Sequence, residues 1–191
     1  NAVAVVPGGG TFGMEAVARQ FAQDKKCLVI RNGWFSYRWS QIFEMGGIPA
    51  SETVLKARQL GDREQPQFAP AAIEDVVAEI RASKPDVVFA PHVETAAGII
   101  LPDDYLRAVA AAVHDVGGLF VLDCIASGTV WVDMQTCGVD VLISAPQKRL
   151  ERFALQRTGA AQRTRRGGAG NHYQHKLCSR SEEMAADHAG L

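Results

Sequence analysis

Short apolar runs alternate with amphipathic segments along most of the chain. The amphipathic segments place their apolar residues on one face and predict helices at residues 14–22, 34–45, 71–83 and 102–113. The apolar runs are continuous and are typical of strands buried on both faces, at residues 2–6, 27–30, 86–90, 119–122 and 139–143. This alternation predicts an α/β fold, a three-layer sandwich built on a mostly parallel sheet.

The apolar run at residues 139–143 is followed by a lysine. Ser144-Ala145-Pro146 ends the strand, because proline donates no ladder hydrogen bond and restricts the residue before it. Gln147 and Lys148 therefore follow the carboxyl end of a buried strand, which is where open α/β sheets bind ligands. A plain surface lysine is the alternative interpretation.

A glycine-rich loop joins the first predicted strand to the first helix. Such a loop lets backbone N–H groups approach a phosphate, and the helix N-terminus adds a partial positive charge. Gly8, Gly10 and Gly13 also match the dinucleotide pattern GxGxxG, but the next strand ends in Arg31 and lacks the acidic residue that binds a ribose. An arginine there would suit NADP, and a turn without any ligand is the third possibility.

Polar residues follow two further strands of the predicted sheet. The strand at residues 86–90 leads into a loop that contains His92 and Thr95, and the strand at 119–122 leads directly into Asp123. A single loop histidine is more often structural than catalytic. A carboxylate at the end of a buried strand is costly unless a partner compensates it.

These features together are the ones that pyridoxal 5'-phosphate (PLP) requires. That cofactor needs a lysine for a covalent link, an acid beside its ring nitrogen, a phosphate-binding loop and an aromatic ring to stack on. Lys148, Asp123 and the glycine loop supply the first three, and the aromatic segment at residues 34–39 supplies the fourth.

Five motifs in the same order carry a resemblance to a known family. They are PGGGTFGME, RNGWFSYRW, PHVETAAG, FVLDCIASG and SAPQK, and they span residues 2–148. In these motifs the chain resembles the class V aminotransferases of PLP fold type I, particularly the alanine–glyoxylate and serine–glyoxylate group.

The resemblance implies a role for each matching residue. Lys148 would be the Schiff-base lysine and Asp123 the partner of the pyridine nitrogen. Thr11 stands where the family often has histidine or serine, a difference that phosphate binding should tolerate. The other implied cofactor contacts are Gly9 and Gly10 in the phosphate loop, Phe35 stacked on the ring, and Thr95 and Gln147 near the ring hydroxyl.

The resemblance also implies an activity. A small amino acid of the alanine or serine type would give its amino group to a keto acid such as glyoxylate, in an enzyme that is a homodimer when intact. Two alternatives stay open, namely a PLP-dependent lyase of the cysteine desulfurase type, which needs a mobile cysteine, and an NADP-binding Rossmann module.

Composition limits the partners and the compartment. The 191 residues are 47% hydrophobic and 21% charged, as in a soluble globular protein, and the formal net charge of -1 gives no reason to expect nucleic acid or a membrane surface as a partner. No apolar run approaches the roughly 18 residues of a membrane span. The four cysteines lack metal-site spacing, so we expect no metal and a cytoplasmic location. The chain begins at Asn1, and we expect its amino end to be truncated.

The sequence changes character after Lys148. We expect residues 1–148 to be a partial PLP-binding large domain and residues 149–191 an aberrant tail, with three of the five histidines and no strand signal. With suitable synonymous codons for residues 149–156, deleting one base restores Gly-Trp-Ser, which the family has after the lysine. We therefore expect a frameshift at this point, an inactive 191-residue product, and activity in a frame-corrected protein that is completed at both ends. Sequencing the genomic locus tests this expectation.

Overall fold

A computed structural model describes residues 2–128, 130–145, 148 and 160–161. Its strands are β1 (Ala2–Val3), β2 (Lys26–Arg31), β3 (Ser51–Lys56), β4 (Arg58–Leu60), β5 (Gln67–Ala69), β6 (Val87–Pro91), β7 (Val93–Glu94), β8 (Ile99–Ile100), β9 (Leu119–Asp123), β10 (Val141–Ile143) and β11 (Ala160–Ala161). Its helices are α1 (Gly10–Phe21), α2 (Trp34–Gly46), α3 (Ile73–Ser83), α4 (Asp103–Asp115) and α5 (Met134–Cys137).

One seven-stranded sheet forms the centre of the molecule. Its strand order is β1-β11-β10-β9-β6-β2-β3, in which the five strands from β10 to β3 are parallel and β11 pairs antiparallel with both β1 and β10. The predicted α/β fold with a mostly parallel sheet is confirmed. Because the central strands are parallel, their carboxyl ends meet at one edge.

Helices cover both faces of this sheet. Helices α1 and α2 pack on one face, where the rings of Trp39 and Phe43 lie 4.5 and 5.2 Å from the ring of Phe89. Helices α3, α4 and α5 pack on the other face. Successive residues of β2 alternate between the two cores, with Val29 in the first and Leu28 and Ile30 in the second. This two-sided burial explains the continuous apolar runs.

The boundaries of several elements differ from those predicted. β1 covers only two residues, and both are exposed because β1 lies at the edge of the sheet. α1 begins at Gly10, four residues earlier than predicted. The hairpins β4–β5 and β7–β8 were not predicted. Both are short and partly polar, so neither produces a sustained alternating pattern.

Little of the segment 149–191 belongs to the described residues. Ala160 and Ala161 form β11, where no strand was expected, because backbone pairing between β1 and β10 requires no particular side chain. The rest of the expected tail lies outside the described residues, so the division at residue 148 stays a prediction. Within the described part of the chain, no helix has the length and apolarity to cross a membrane.

Candidate active site

The carboxyl ends of three adjacent parallel strands bring the predicted site residues toward one edge of the sheet. Asp123 is the last residue of β9, and its register neighbours are Pro91 of β6 and Ile143 of β10. The backbone N–H of His92 donates to the carbonyl oxygen of Asp123 at 2.8 Å, which ties the loop after β6 to this edge. The strand order therefore fixes Asp123 at the middle of the candidate site.

The glycine loop lies against the segment that follows Asp123. A Cβ atom added to Gly10 would lie 2.7 Å from Ile125 Cδ1, so the backbone approaches this side chain more closely than any other residue type allows. A Cβ added to Gly9 would meet no atom within 4 Å. Gly9 immediately precedes α1, so the open space beside it adjoins the helix N-terminus. A phosphate would fit there.

These two glycines allow a matched comparison. We expect Gly10→Ala to lower the free energy of unfolding by about 1 kcal/mol because Ile125 must move. Gly9→Ala should change it by less than about 0.5 kcal/mol, yet weaken PLP binding by filling the space left for the phosphate. Thermal unfolding and PLP titration measure the two effects. Equal PLP affinity for the Gly9 variant and the unmodified chain would contradict the phosphate assignment.

The Asp123 carboxyl is buried, with 8% of the residue exposed. Burial raises its pKa to about 6, and nearby Glu94 adds to the increase. The N–H of Ile125, which donates to Asp123 Oδ1 at 2.9 Å, and the Arg38 guanidinium act in the opposite direction. A desolvated carboxylate that accepts this hydrogen bond would gain strongly from a cationic partner, such as a protonated ring nitrogen.

Arg38 was missed by the sequence analysis. Its Nη1 donates to Thr11 Oγ1 at 2.6 Å, so helix α2 contributes a guanidinium to the glycine loop. Thr11 is therefore positioned by a cation, which also lowers the pKa of Asp123. In the sequence, the only indication of Arg38 is that a basic residue lies one helical turn after Phe35, the predicted stacking aromatic. Basic residues are common on exposed helix faces, so this position does not stand out.

Glu94 was also missed, although it lies in the PHVETAAG motif. Its carboxylate is fully buried and accepts hydrogen bonds from the N–H groups of Phe35 (3.1 Å) and Ser36 (2.9 Å) and from Ser36 Oγ (2.6 Å). It also accepts a hydrogen bond from the backbone N–H of Ala96, two residues later. Glu94 thus supplies the N-terminal cap that Gly33 cannot supply to α2, and a Cβ at Gly33 would lie 2.8 Å from Glu94 Cδ.

We expect Glu94→Ala to destabilise the chain by about 3 kcal/mol, because it leaves two N–H groups of α2 without their acceptor and the Ser36 hydroxyl with only the longer bond to the Gly33 carbonyl oxygen. Glu94→Gln keeps one acceptor oxygen and should cost less. Denaturant unfolding measures both changes. A loss below about 0.5 kcal/mol for the alanine variant would show that the cap does not stabilise α2.

The remaining predicted residues occupy varied positions. Phe35 lies in the first turn of α2 with 45% of its surface exposed, so one ring face is open to a ligand. Thr95 is exposed in the turn between β7 and β8, next to Glu94. Lys148 is exposed, and its backbone N–H donates to Ala145 O at 3.2 Å. Gln147 lies outside the described residues.

Two buried polar side chains, those of His92 and Ser144, follow strands that end at this edge of the sheet. His92 Nδ1 lies 2.7 Å from Ser127 Oγ, and both residues are buried, which fits the structural interpretation of His92. Ser144 follows β10 at the same edge, and its buried hydroxyl has no hydrogen-bond partner among the described residues. An unpaired hydroxyl, a desolvated carboxylate and an open glycine cradle are compatible with a polar, phosphorylated group at this edge.

The sequence is similar to those of several transaminases. No family model matches it. The chain is 34% identical over 146 residues to 2-aminoethylphosphonate–pyruvate transaminase 2 of Paraburkholderia xenovorans, an alignment that covers 75% of this chain and 36% of the relative. It is 31% identical over 149 residues to L-aspartate–glyoxylate aminotransferase of Paracoccus denitrificans, covering 76% and 35%.

The fold matches solved aminotransferases as well. Ureidoglycine–glyoxylate aminotransferase of Bacillus subtilis has a TM-score of 0.59 at 26% identity, covering 73% of this chain and 33% of that one. Alanine–glyoxylate aminotransferase of Nostoc sp. has a TM-score of 0.64 at 20% identity, covering 92% and 46%. A PLP-bound C–S lyase of Staphylococcus hominis, with a TM-score of 0.52 at 11% identity over 73% and 36%, shares the fold alone.

These similarities confirm the resemblance on which the motif assignments rest. Curated relatives are transaminases, and the structural neighbours include aminotransferases of the alanine–glyoxylate type. The chain spans about a third of the length of the curated relatives that it matches. The described residues have the fold of the large domain of PLP-dependent transferases.

Proposed function

We propose that the protein is a PLP-dependent aminotransferase, with residues 2–148 providing the cofactor-binding face of its large domain. The observation that carries the proposal is the buried carboxyl of Asp123, placed by β9 beside the glycine loop and between β6 and β10. The transaminase relatives and the PLP-bound neighbour of the same fold support it.

The residues present fit the cofactor. Gly9, Gly10 and the first turn of α1 would receive its phosphate, with Thr11 held in place by Arg38. The open face of Phe35 would stack on the ring, and Glu94 fixes the helix turn that carries Phe35. Thr95 and Gln147 would hydrogen-bond near the ring hydroxyl, as the resemblance implies.

When bound, PLP supplies an electron sink for the bonds at the substrate's amine carbon. Asp123 would hold the proton on the ring nitrogen, because a cation beside a desolvated carboxylate offsets the cost of burying that charge. Lys148 would hold the cofactor covalently and, once released by an incoming amine, move a proton at the substrate carbon. The glycine loop and Phe35 would hold the cofactor in place for this proton transfer.

The amino donor is a small amino acid or a close analogue, and the acceptor is a short keto acid. The names of the relatives include 2-aminoethylphosphonate and aspartate as donors, beside pyruvate and glyoxylate as acceptors. The resemblance implies donors of the alanine or serine type, and we propose that donors with a phosphonate or a side-chain carboxylate also fit. A homodimer in the cytoplasm remains part of the proposal.

Two observations weigh against the alternatives. A dinucleotide-binding loop follows a central parallel strand, whereas β1 is an antiparallel edge strand of this sheet. A desulfurase needs a reactive, mobile cysteine, whereas Cys27, Cys124 and Cys137 are buried. Burial raises the pKa of Cys27 to about 12 and also raises the pKa of Cys137, so both thiols stay protonated. Cys178 lies outside the described residues.

Titration with PLP tests the proposal directly. The 191-residue chain should develop visible absorbance with one PLP bound per chain, and NADP should neither bind nor compete. Lys148→Ala should lose the covalent component of that absorbance. Saturable binding of NADP in the absence of any PLP signal would overturn the proposal in favour of a dinucleotide-binding module.

A further inference from the structure

An open pocket lies at the carboxyl ends of β2 and β3, apart from the candidate cofactor residues. It encloses about 550 Å³, within the range of small-molecule sites. None of the residues proposed to hold PLP lines it. Its walls are formed chiefly by Arg31, Asn32, Trp34, Tyr37, Lys56 and Phe68.

Two cations stand side by side in this pocket. Arg31 and Lys56 are register partners on the adjacent parallel strands β2 and β3, so their side chains leave the same face of the sheet. Neither forms an ion pair with any described acidic residue. The Arg31 guanidinium lies 5.0 Å from the centre of the Tyr37 ring, which restricts its position. Like charges on neighbouring strands repel, and a bound anion would relieve that repulsion.

A buried amide adds a second observation that points to a ligand. Asn32 is 2% exposed and lines the pocket, yet neither Nδ2 nor Oδ1 has a hydrogen-bond partner among the described residues. Leaving an amide unpaired in a protein interior is unfavourable. An anion seated between the two cations would give Nδ2 an acceptor once the side chain, whose nitrogen has almost no exposed surface, turns toward the pocket.

Aromatic rings form the outer wall. Trp34 and Phe68 line the pocket and are 61% and 43% exposed, so they offer adjacent apolar surface that a ligand would cover. The Trp34 and Tyr37 rings lie 6.0 Å apart at a tilt of 50°, so they form an angled aromatic wall beside the cations. Paired cations next to aromatic faces recognise an acid group joined to a planar or apolar group, rather than a bare inorganic ion.

We propose that this pocket binds a small organic anion, in which a carboxylate, phosphate or phosphonate is joined to a planar or apolar group. Arg31 and Lys56 bind the acid, Asn32 donates to it, and Trp34 and Phe68 cover the apolar part. This site is separate from the proposed PLP site and does not depend on it.

Calorimetric titration of the 191-residue chain with benzoate and phenylphosphonate tests this proposal. The chain is first saturated with PLP, so that neither probe occupies the cofactor site. We expect each probe to bind saturably, one per chain, and inorganic phosphate and benzyl alcohol to bind at least about tenfold more weakly. Benzyl alcohol binding as tightly as benzoate would contradict anion recognition.

Variants that each remove one charge show where the two probes bind. Arg31→Gln and Lys56→Gln should each weaken both probes by at least about tenfold, because each removes a charge-assisted contact. Lys26→Gln removes an exposed charge from the opposite end of β2 and should leave both affinities within about twofold. Thermal unfolding confirms that each variant is folded. Unchanged affinity in both pocket variants would overturn the proposal, as would the absence of saturable binding to the unmodified chain.

The test also separates this site from the proposed cofactor site. Asp123→Asn should leave benzoate binding unchanged, and benzoate should bind whether or not PLP does. Loss of PLP binding with benzoate binding intact would count against the proposed function alone. Dimer formation that Arg31→Gln and Lys56→Gln abolish, without probe binding, would show that a second copy covers the pocket and would contradict the small-molecule assignment.

Discussion

Lys148→Ala is expected to lower the transamination rate of the frame-corrected protein by roughly a thousandfold. The amine would serve twice, as the covalent anchor of PLP and as the group that moves the proton at the substrate carbon, and general acid–base groups alone contribute about a hundredfold to ten-thousandfold. Lys148 is exposed, so its removal should leave the free energy of unfolding almost unchanged.

Steady-state rates and PLP affinity are measured together for this variant. Lys25→Ala, which removes an exposed lysine beside β2, is the control and should keep its full rate. An added primary amine should restore part of the Lys148→Ala rate by replacing the missing base. A Lys148→Ala rate within about tenfold of the unmodified protein would show that another group moves the proton.

Asp123→Asn is expected to lower the rate at least about a hundredfold, the scale of removing one preorganised electrostatic group. An amide of nearly the same shape can still accept the N–H of Ile125, so the loop after β9 should persist. It cannot hold a proton on a ring nitrogen. Cofactor affinity should therefore fall much less than the rate, and unchanged turnover would make Asp123 a structural residue.

The same substitution should raise the stability of the cofactor-free chain in a pH-dependent manner. The pKa of Asp123 is about 6 in the folded chain and 3.8 for an unperturbed aspartate, so the folded state binds the proton more tightly. Stability therefore falls as pH rises from about 4 to about 6, by about 3 kcal/mol in all. Asp123→Asn should remove that loss, giving a higher melting temperature at pH 7.5 and little change at pH 4. A pH-independent difference would contradict the raised pKa.

Much of this architecture was predictable because strands that are buried on both faces have continuous apolar sequences. The continuous apolar runs of β2, β6, β9 and β10 predicted a parallel sheet, and the residues at the ends of β6 and β9 predicted its functional edge. What sequence patterns do not show is side-chain pairing between distant segments. Glu94 caps a helix 58 residues earlier in the chain, and no local pattern records that contact.

The start of α1 was mispredicted for a related reason. Gly10 and Gly13 are poor helix formers, so the helix was expected only after the glycine loop. The close approach of Gly10 to Ile125 explains why glycine is used at the start of this helix, since a side chain there would collide with Ile125. The pocket of Arg31 and Lys56 depends on the register of β2 and β3, which composition alone does not specify.

Covalent trapping of the cofactor identifies the amine that holds PLP. The 191-residue chain is loaded with PLP, reduced with borohydride, digested and mapped by mass spectrometry. We predict that the label lies on Lys148, because that amine follows β10 at the same edge as Asp123 and the glycine loop. Label on Lys56 or Lys84 instead of Lys148 would contradict it.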